Sequence, residues 1–461
     1  MHAAAPPASA AVPPAPVSLR EAFGYWLKLG FISFGGPAGQ IALMHADLVE
    51  RRRWISERRF LHALNYCMLL PGPEATQLAA YIGFLMHRTA GALVAGGLFV
   101  LPSLVLLALL AWIYLRWGSV PAIAALLYGV KPAVVAIVLH AAWRIGSRVL
   151  RHPLLWAIAV AAFVAIFVAR VPFPAIVVAA ALLGAIGARF TPQAFAASAK
   201  HGAAGGARHA AALIDDDTPT PAHARWSPRR ALALCAAFGA LWLAALGALA
   251  WAFGWTGTLT QMGWFFTKAA LLTFGGAYAV LPYVFQAAVE QYQWASAAQM
   301  MDGLALGETT PGPLIMIVAF IGFVGGWTTL ALGPDAAAAA GIAGAVVATF
   351  FTFLPSFFFI LLGAPFIETT HGELRFVAPL AGITAAVVGV IVNLGLYFAL
   401  QVFWPDGLVG PIDVAAAAIA AAALVALLRF KVGVIPLIGA CAVAGLVVRL
   451  AWPAIGPFQM T

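Results

Sequence analysis

Charge is what this chain lacks. Only 9% of its 461 residues are Asp, Glu, Lys or Arg, against 63% apolar, which leaves too little polar surface to cover soluble domains of that total length. A separate soluble catalytic domain is excluded too, because apolar stretches long enough to cross a hydrocarbon core of about 30 Å recur between residues 19 and 453. Acidic residues are scarcer than basic ones, 16 against 25. The excess does not point to nucleic acid, since the Lys and Arg sit in short loops between apolar segments, where they orient helices in a bilayer. Cysteine is nearly missing: Cys67, Cys235 and Cys441 stand alone, with no Cys-x-x-Cys pair and no His at ligand spacing, so no disulfide, metal, cofactor or redox centre is expected. Absent as well is any cluster of His, Asp, Glu or Cys of the kind a membrane enzyme acting on a lipid phosphate needs, and the chain reads as a non-enzyme. Residues 1–17 are rich in Ala and Pro and lack the basic start and compact apolar core of a signal peptide. They read as a disordered tail, with 454–461 as a second tail, and the mature chain is expected to begin as written.

What is present is a duplication. Residues 28–44 read KLGFISFGGPAGQIALM and residues 268–284 read KAALLTFGGAYAVLPYV. Adding 240 to Lys28, Ser33, Gly35 and Gly36 gives Lys268, Thr273, Gly275 and Gly276. The same offset carries Glu50, Trp54 and Ser56 onto Glu290, Trp294 and Ser296, and Pro71-Gly72-Pro73 onto Pro311-Gly312-Pro313. Later, Leu101-Pro102-Ser103 returns as Leu354-Pro355-Ser356. A duplicated unit with apolar helices broken in matching places points to a secondary transporter whose site lies where the repeats meet. A passive channel fits paired breaks at a closed midplane less well than alternating access does.

The organisation expected is all-α and integral to the membrane, with about thirteen apolar segments. Residues 18–190 form the first repeat, 191–228 a polar, solvated cytoplasmic linker, 229–256 an extra transmembrane helix, and 257–453 the second repeat. The stretches 22–49 and 60–87 are interrupted at Phe34-Gly35-Gly36-Pro37 and Pro71-Gly72-Pro73, since Pro removes a backbone donor and Gly permits a turn. If every stretch crossed, the loop holding Arg51, Arg52, Arg53, Arg58 and Arg59 would face outward, against the positive-inside bias. Broken stretches that dip in and return on one side remove the conflict, because arms of roughly 11–15 residues reach only about 16–23 Å. The odd helix before the second copy then inverts it, so that equivalent loops face opposite sides: 290–302 contains no Lys or Arg.

A helix restarting after a midplane break points free N–H groups and its positive dipole end at the gap, which suits an anion. Pro37, Pro73 and Pro313 are placed for first helical positions. Gly35, Gly36, Gly72, Gly275, Gly276 and Gly312 let backbone approach a ligand, with Pro71 and Pro311 completing the turns, and Ser33, Thr273 and Thr310 offer hydroxyls. Close helix packing alone would also use such glycines, but their repetition with Pro-Gly-Pro favours a site. Lys28 and Lys268, two of only five lysines, are candidates for anion attraction or for snorkelling to the interface. Glu74 and Glu308 flank the Pro-Gly-Pro breaks and are candidates for proton exchange, although Glu74 also suits a helix start.

These motifs resemble those of the chromate ion transporter family in its long-chain form of two homologous halves, and the likeness covers residues 19–453. The resemblance implies a multi-pass protein of a bacterial inner membrane that expels chromate from the cytoplasm, driven by the proton motive force. The second copy departs from the pattern, with Ala277 where the first has Pro37 and Leu314 where it has Glu74, so the halves are expected to contribute unequally. Chromate and sulfate are tetrahedral dianions of similar size, which leaves uptake of sulfate or a related oxyanion as the alternative. Oligomeric state stays open.

Overall fold

The computed structural model describes residues 14–191, 211–274, 276–369 and 377–451. It is helical throughout, and among the described residues seven helices are long and apolar enough to cross a bilayer, with three shorter apolar ones beside them. The first copy comprises α1 (Leu19–Ile32), α2 (Gly36–His45), α3 (Glu57–Cys67), α4 (Glu74–Trp117), α5 (Pro121–Val149), α6 (Pro153–Phe167) and α7 (Phe173–Phe190). The extra helix α8 (Pro228–Phe253) follows. The second copy is α9 (Thr258–Leu271), α10 (Ala277–Phe285), α11 (Ala297–Thr309), α12 (Ile317–Thr328), α13 (Ala337–Thr369), α14 (Val377–Phe403), α15 (Val414–Arg429) and α16 (Val434–Ala451).

The duplication extends to backbone detail. Each copy's second helix ends in a single π-turn, Ala46–Arg51 and Gln286–Gln291. Arg53 and Gln293 follow with left-handed φ of 52° and 54°, and Trp54 and Trp294 donate to Leu48 and Ala288 carbonyls at 2.7 and 2.8 Å. Ser56 and Ser296 then cap α3 and α11 through their hydroxyls.

The broken stretches do return to the side they left. Beyond the π-turn, Arg52 lies 3.8 Å from Glu21 near the start of α1 and its guanidinium sits over the Tyr25 ring at 4.9 Å. In the second copy Trp294 packs on Phe265 and Phe266, the residues equivalent to Tyr25 and Trp26. Although α4 is helical over 44 residues, it reverses at His87 and Arg88, where φ is −136° and 58°. Gly83 and Gly91 therefore face each other so closely that neither has room for a Cβ, whereas a straight helix would hold them roughly 12 Å apart. Gly322 and Gly344 make the same approach between α12 and α13. The arm before His87 thus completes a re-entrant hairpin with α3, and the arm after it crosses.

Contacts between copies exchange under a pseudo-two-fold. Helix α5 packs on α15 and α16 of the second copy, as α14 packs on α6 and α7 of the first, while α4 meets α13 and α5 meets α14. Each copy's last two helices therefore lean on the other copy, so neither half buries its apolar faces alone.

The linker differs from the wholly solvated segment expected. Its residues 211–224 dock on the first copy: Ile214 and Ile55 form an isolated parallel bridge, the Leu213 and Ile214 amides donate to Arg53 and Trp54 carbonyls at 2.8 and 3.0 Å, and the Ser56 amide donates to Ile214 at 2.9 Å. Asp216 accepts from the Ser56 hydroxyl at 2.6 Å, and His223 reaches the Phe84 carbonyl at 3.0 Å. One strap therefore touches both ends of the α3–α4 hairpin, which places those ends on the same side.

Candidate functional site

The four breaks converge, and they do so crosswise. The Gly72 amide of the first Pro-Gly-Pro donates to the Thr273 carbonyl of the second copy's Phe-Gly-Gly turn at 2.8 Å, and the Gly312 amide donates to the Ser33 carbonyl of the first copy's turn, also at 2.8 Å. These two bonds are exact images of one another under the offset of 240. Each satisfies a carbonyl that a helix end would otherwise leave unpaired inside the membrane. Gly72 and Gly312 adopt φ of 127° and 107°, and a Cβ at either would meet Ser356 or Ser103, the serines of the repeated Leu-Pro-Ser motif of the opposite copy. Only glycine fits there.

Around this junction lie polar groups that protein atoms leave unsatisfied. Ser33, Thr76 and Ser356 are buried, and none of their hydroxyls has a partner. Burying an unpaired hydroxyl costs about 1–3 kcal/mol, and these three belong to the break and Leu-Pro-Ser segments of the two copies. Gln40, fully buried, donates to the Gly312 carbonyl at 2.5 Å and to the Ser33 carbonyl at 3.4 Å. Gln77 donates to the Pro71 carbonyl at 2.8 Å. Glu308 accepts from the Tyr278 hydroxyl, and Glu74 lies within reach of Gly276, its Oε1 3.8 Å from where a Cβ would stand. Both carboxyls therefore border the start of α10.

The sequence-based set divides under this geometry. Ser33, Gly36, Pro71, Gly72, Pro73, Glu74, Thr273, Gly276, Thr310, Pro311, Gly312 and Pro313 belong to the four breaks, and Gly35, with φ 89°, caps α2. Gly275 lies outside the described residues. Pro37 falls in the first turn of α2 as expected. Pro73 instead occupies the position just before α4, and Pro313 the position just before a 3-10 turn, Leu314–Met316, that leads into α12, because their carbonyls accept the first helical bonds, from Gln77 at 3.0 Å and Met316 at 2.9 Å. Thr273 and Thr310 spend their hydroxyls on their own helices, on the Ala269 and Gly307 carbonyls. The lysines do not reach the breaks. Lys28 lines a cleft beside Asp47, Arg51 and Arg52, and Lys268 rests 5.6 Å from the Trp264 ring, because the helix turns between Lys and break point each side chain away. Gln40, Tyr278, Ser103 and Ser356 were not in that set. The repeated Leu-Pro-Ser was the visible signal for the two serines.

Paired re-entrant hairpins from two inverted copies, meeting at unsatisfied polar groups within a bundle of crossing helices, define a multi-pass membrane transporter. The profile of the chromate transporter family matches residues 20–185 and 260–446, one match to each copy, and the chain belongs to that family, whose members are transporters and not enzymes. It is 30% identical over 416 residues to the chromate transport protein of Cupriavidus metallidurans, covering 90% of this chain and 89% of that one. It is 35% identical over 384 residues to the chromate transport protein of Pseudomonas aeruginosa, covering 83% and 81%. The probable chromate transport protein of Synechococcus elongatus is 28% identical over 376 residues, covering 81% and 83%. No solved structure matches the chain.

Proposed function

We propose that the protein exports chromate from the cytoplasm across a bacterial inner membrane, the anion passing through the junction of the four breaks. The observation that carries this reading is the reciprocal pair of bonds, Gly72 to Thr273 and Gly312 to Ser33, with the unpartnered hydroxyls of Ser33, Thr76 and Ser356 beside them. A tetrahedral oxyanion is acceptor-only, and hydroxyl donors with helix N-termini are what it pairs with. Opening one junction while the other stays bonded would expose the site to one side at a time. Export suits the substrate's charge: each negative charge leaving a negative-inside cell gains about 2.3 kcal/mol per 100 mV, so the proton motive force favours exit through its electrical component. Glu74 and Glu308 are the groups through which a pH gradient would act. The chromate relatives favour this substrate over the sulfate alternative.

The test is radiolabelled chromate accumulation in everted membrane vesicles, with and without an imposed gradient and with excess sulfate as competitor. Gradient-dependent accumulation that resists sulfate is expected. Vesicles that accumulate no more than empty ones, or that take up chromate only when right-side-out, would overturn export.

A further inference from the structure

Lys28, displaced from the central site, belongs to a different feature. Between α1 and the end of the first π-turn lies a cleft of about 320 Å³, lined by Tyr25, Lys28, Asp47, Arg51 and Arg52 among others. At about 30 Å³ per water it holds roughly ten waters, room for an oxyanion with part of its hydration shell. We propose that this cleft is an oxyanion capture site on the linker side, which loads the central junction from that side alone; this rests on the transport reading above.

Three cations face one wall acid. Asp47 is already taken by Arg51 at 2.8 Å. Arg52 lies over Tyr25 and Trp54, at 4.9 and 5.2 Å from the ring centroids, with Glu21 no nearer than 3.8 Å; the rings hold the guanidinium at the cleft, and its several N–H donors suit an oxyanion. Lys28 has no carboxylate within ion-pair distance among the described residues. Topology accounts for arginines in the loop but not for this arrangement: the positive-inside bias counts loop Lys and Arg wherever they sit, and Lys28 stands inside α1.

The duplication supplies an internal control. At the equivalent positions the second copy keeps Lys268 but has Phe265, Ala287, Gln291 and Tyr292. Tyr292 stacks flat on Trp294 at 4.5 Å, and Lys268 turns to Trp264. The same backbone therefore carries a cationic cleft on the linker side and an aromatic seal on the other. A cleft of one charge sign concentrates counter-ions and raises their rate of arrival.

The experiment compares chromate flux in everted and right-side-out vesicles for wild type, Lys28→Gln with Arg52→Gln, and Lys268→Gln. Arg51, Arg53, Arg58 and Arg59 remain in the double variant to hold topology. The expected result is a KM about tenfold higher from the linker side with kcat from that side unchanged, an opposite-side KM that stays level while its kcat falls in the proportion that detailed balance requires, a weaker dependence on ionic strength, and no change for Lys268→Gln. A wild-type KM from the linker side, or a KM raised equally from both sides, overturns the proposal. Proteoliposomes of neutral lipid alone separate free oxyanion from lipid headgroup: a KM effect that appears only with anionic lipid assigns the cleft to headgroups and also overturns it. Wild-type vesicles without flux would defeat the transport reading by itself. Equilibrium dialysis of the purified protein with radiolabelled chromate would then decide the cleft, the proposal failing if binding is the same in wild type and the double variant.

Discussion

The two copies share a backbone and differ in what covers it. Helix α10 is buried at all nine of its residues, whereas its counterpart α2 buries only Gln40 and Met44. Residues 311–326 are buried without interruption, while Met68 and Phe34 in the first copy's breaks are exposed. Yet the π-turns, the left-handed glycines and the crosswise bonds recur. The breaks persist in both copies because a backbone polar group freed inside a membrane needs a partner, and each copy supplies the other's. Side chains have diverged because inverted copies meet opposite aqueous faces. The first copy holds the cations and the linker, and the second is a buried, aromatic scaffold.

The sharpest way to break this comparison is at the crosswise bonds. Gly72→Ala and Gly312→Ala each force a side chain into left-handed backbone, at about 1–3 kcal/mol, and push against Ser356 or Ser103. Equivalent junctions predict a loss of chromate flux of more than about tenfold in both variants, with protein still present in the membrane fraction. Full flux in one variant and none in the other would show that only one junction opens.

The carboxyls test the asymmetry next. Both border α10, and the first copy's turn has none at the matching places, where Met68 stands opposite Glu308 and Ala38 opposite Tyr278. Glu308→Gln and Glu74→Gln are expected to keep potential-driven chromate flux while abolishing its response to an imposed pH gradient, because neither amide exchanges a proton. An undiminished response in both variants removes these groups from coupling.

Much of this was legible because breaks are local chemistry. Phe-Gly-Gly and Pro-Gly-Pro announce turns wherever they fall, and their common offset announces the duplication. The charge of the loops likewise implied hairpins that return to their own side. Partner choice was not legible: nothing in an offset says that Gly72 bonds to Thr273 and not to Ser33. Lysine is costly in an apolar segment, which singles out Lys28 and Lys268 as candidates for anion attraction or snorkelling, but that cost says nothing of the direction the side chain faces. Gln40 and Tyr278 escaped because repetition was the guide, and their counterparts, Val280 and Ala38, are apolar. The docking of residues 211–224 escaped because an acidic, Pro-containing segment carries no sign of the strand partner it finds in Ile55.

Gln40 gives a smaller and cleaner test. Replacing it by the residue of the other copy, Gln40→Val, removes donors to the Gly312 and Ser33 carbonyls without touching the breaks. A net loss of about 0.5–1.5 kcal/mol per bond predicts a drop in thermal stability of a few degrees and a several-fold change in flux. A Val280→Gln exchange is expected to restore neither, since the equivalent carbonyls, Gly72 and Thr273, belong to the other junction. Restoration would make the copies interchangeable after all.

The weakest effect is expected at the linker strap, which covers the hairpin at Ser56 and has no counterpart on Ser296 among the described residues; Ser296 completes a capping box with Gln299 instead. Burial holds the His223 imidazole below its usual range, with Arg88 and Arg230 adding to the effect while its bond to the Phe84 carbonyl opposes it. A lowered pKa means that docking favours the neutral ring. The stabilisation is therefore complete above the free-histidine range of about 6.5 and is lost as pH falls below it. Protection factors for the Leu213 and Ile214 amides, measured by hydrogen exchange, should decrease from pH 7.5 to pH 5. In His223→Gln, which cannot titrate, they should stay level, and at the Trp294 amide of the second copy they should stay level in both proteins. A decrease that survives His223→Gln would assign the pH response to another group and leave the strap as plain packing.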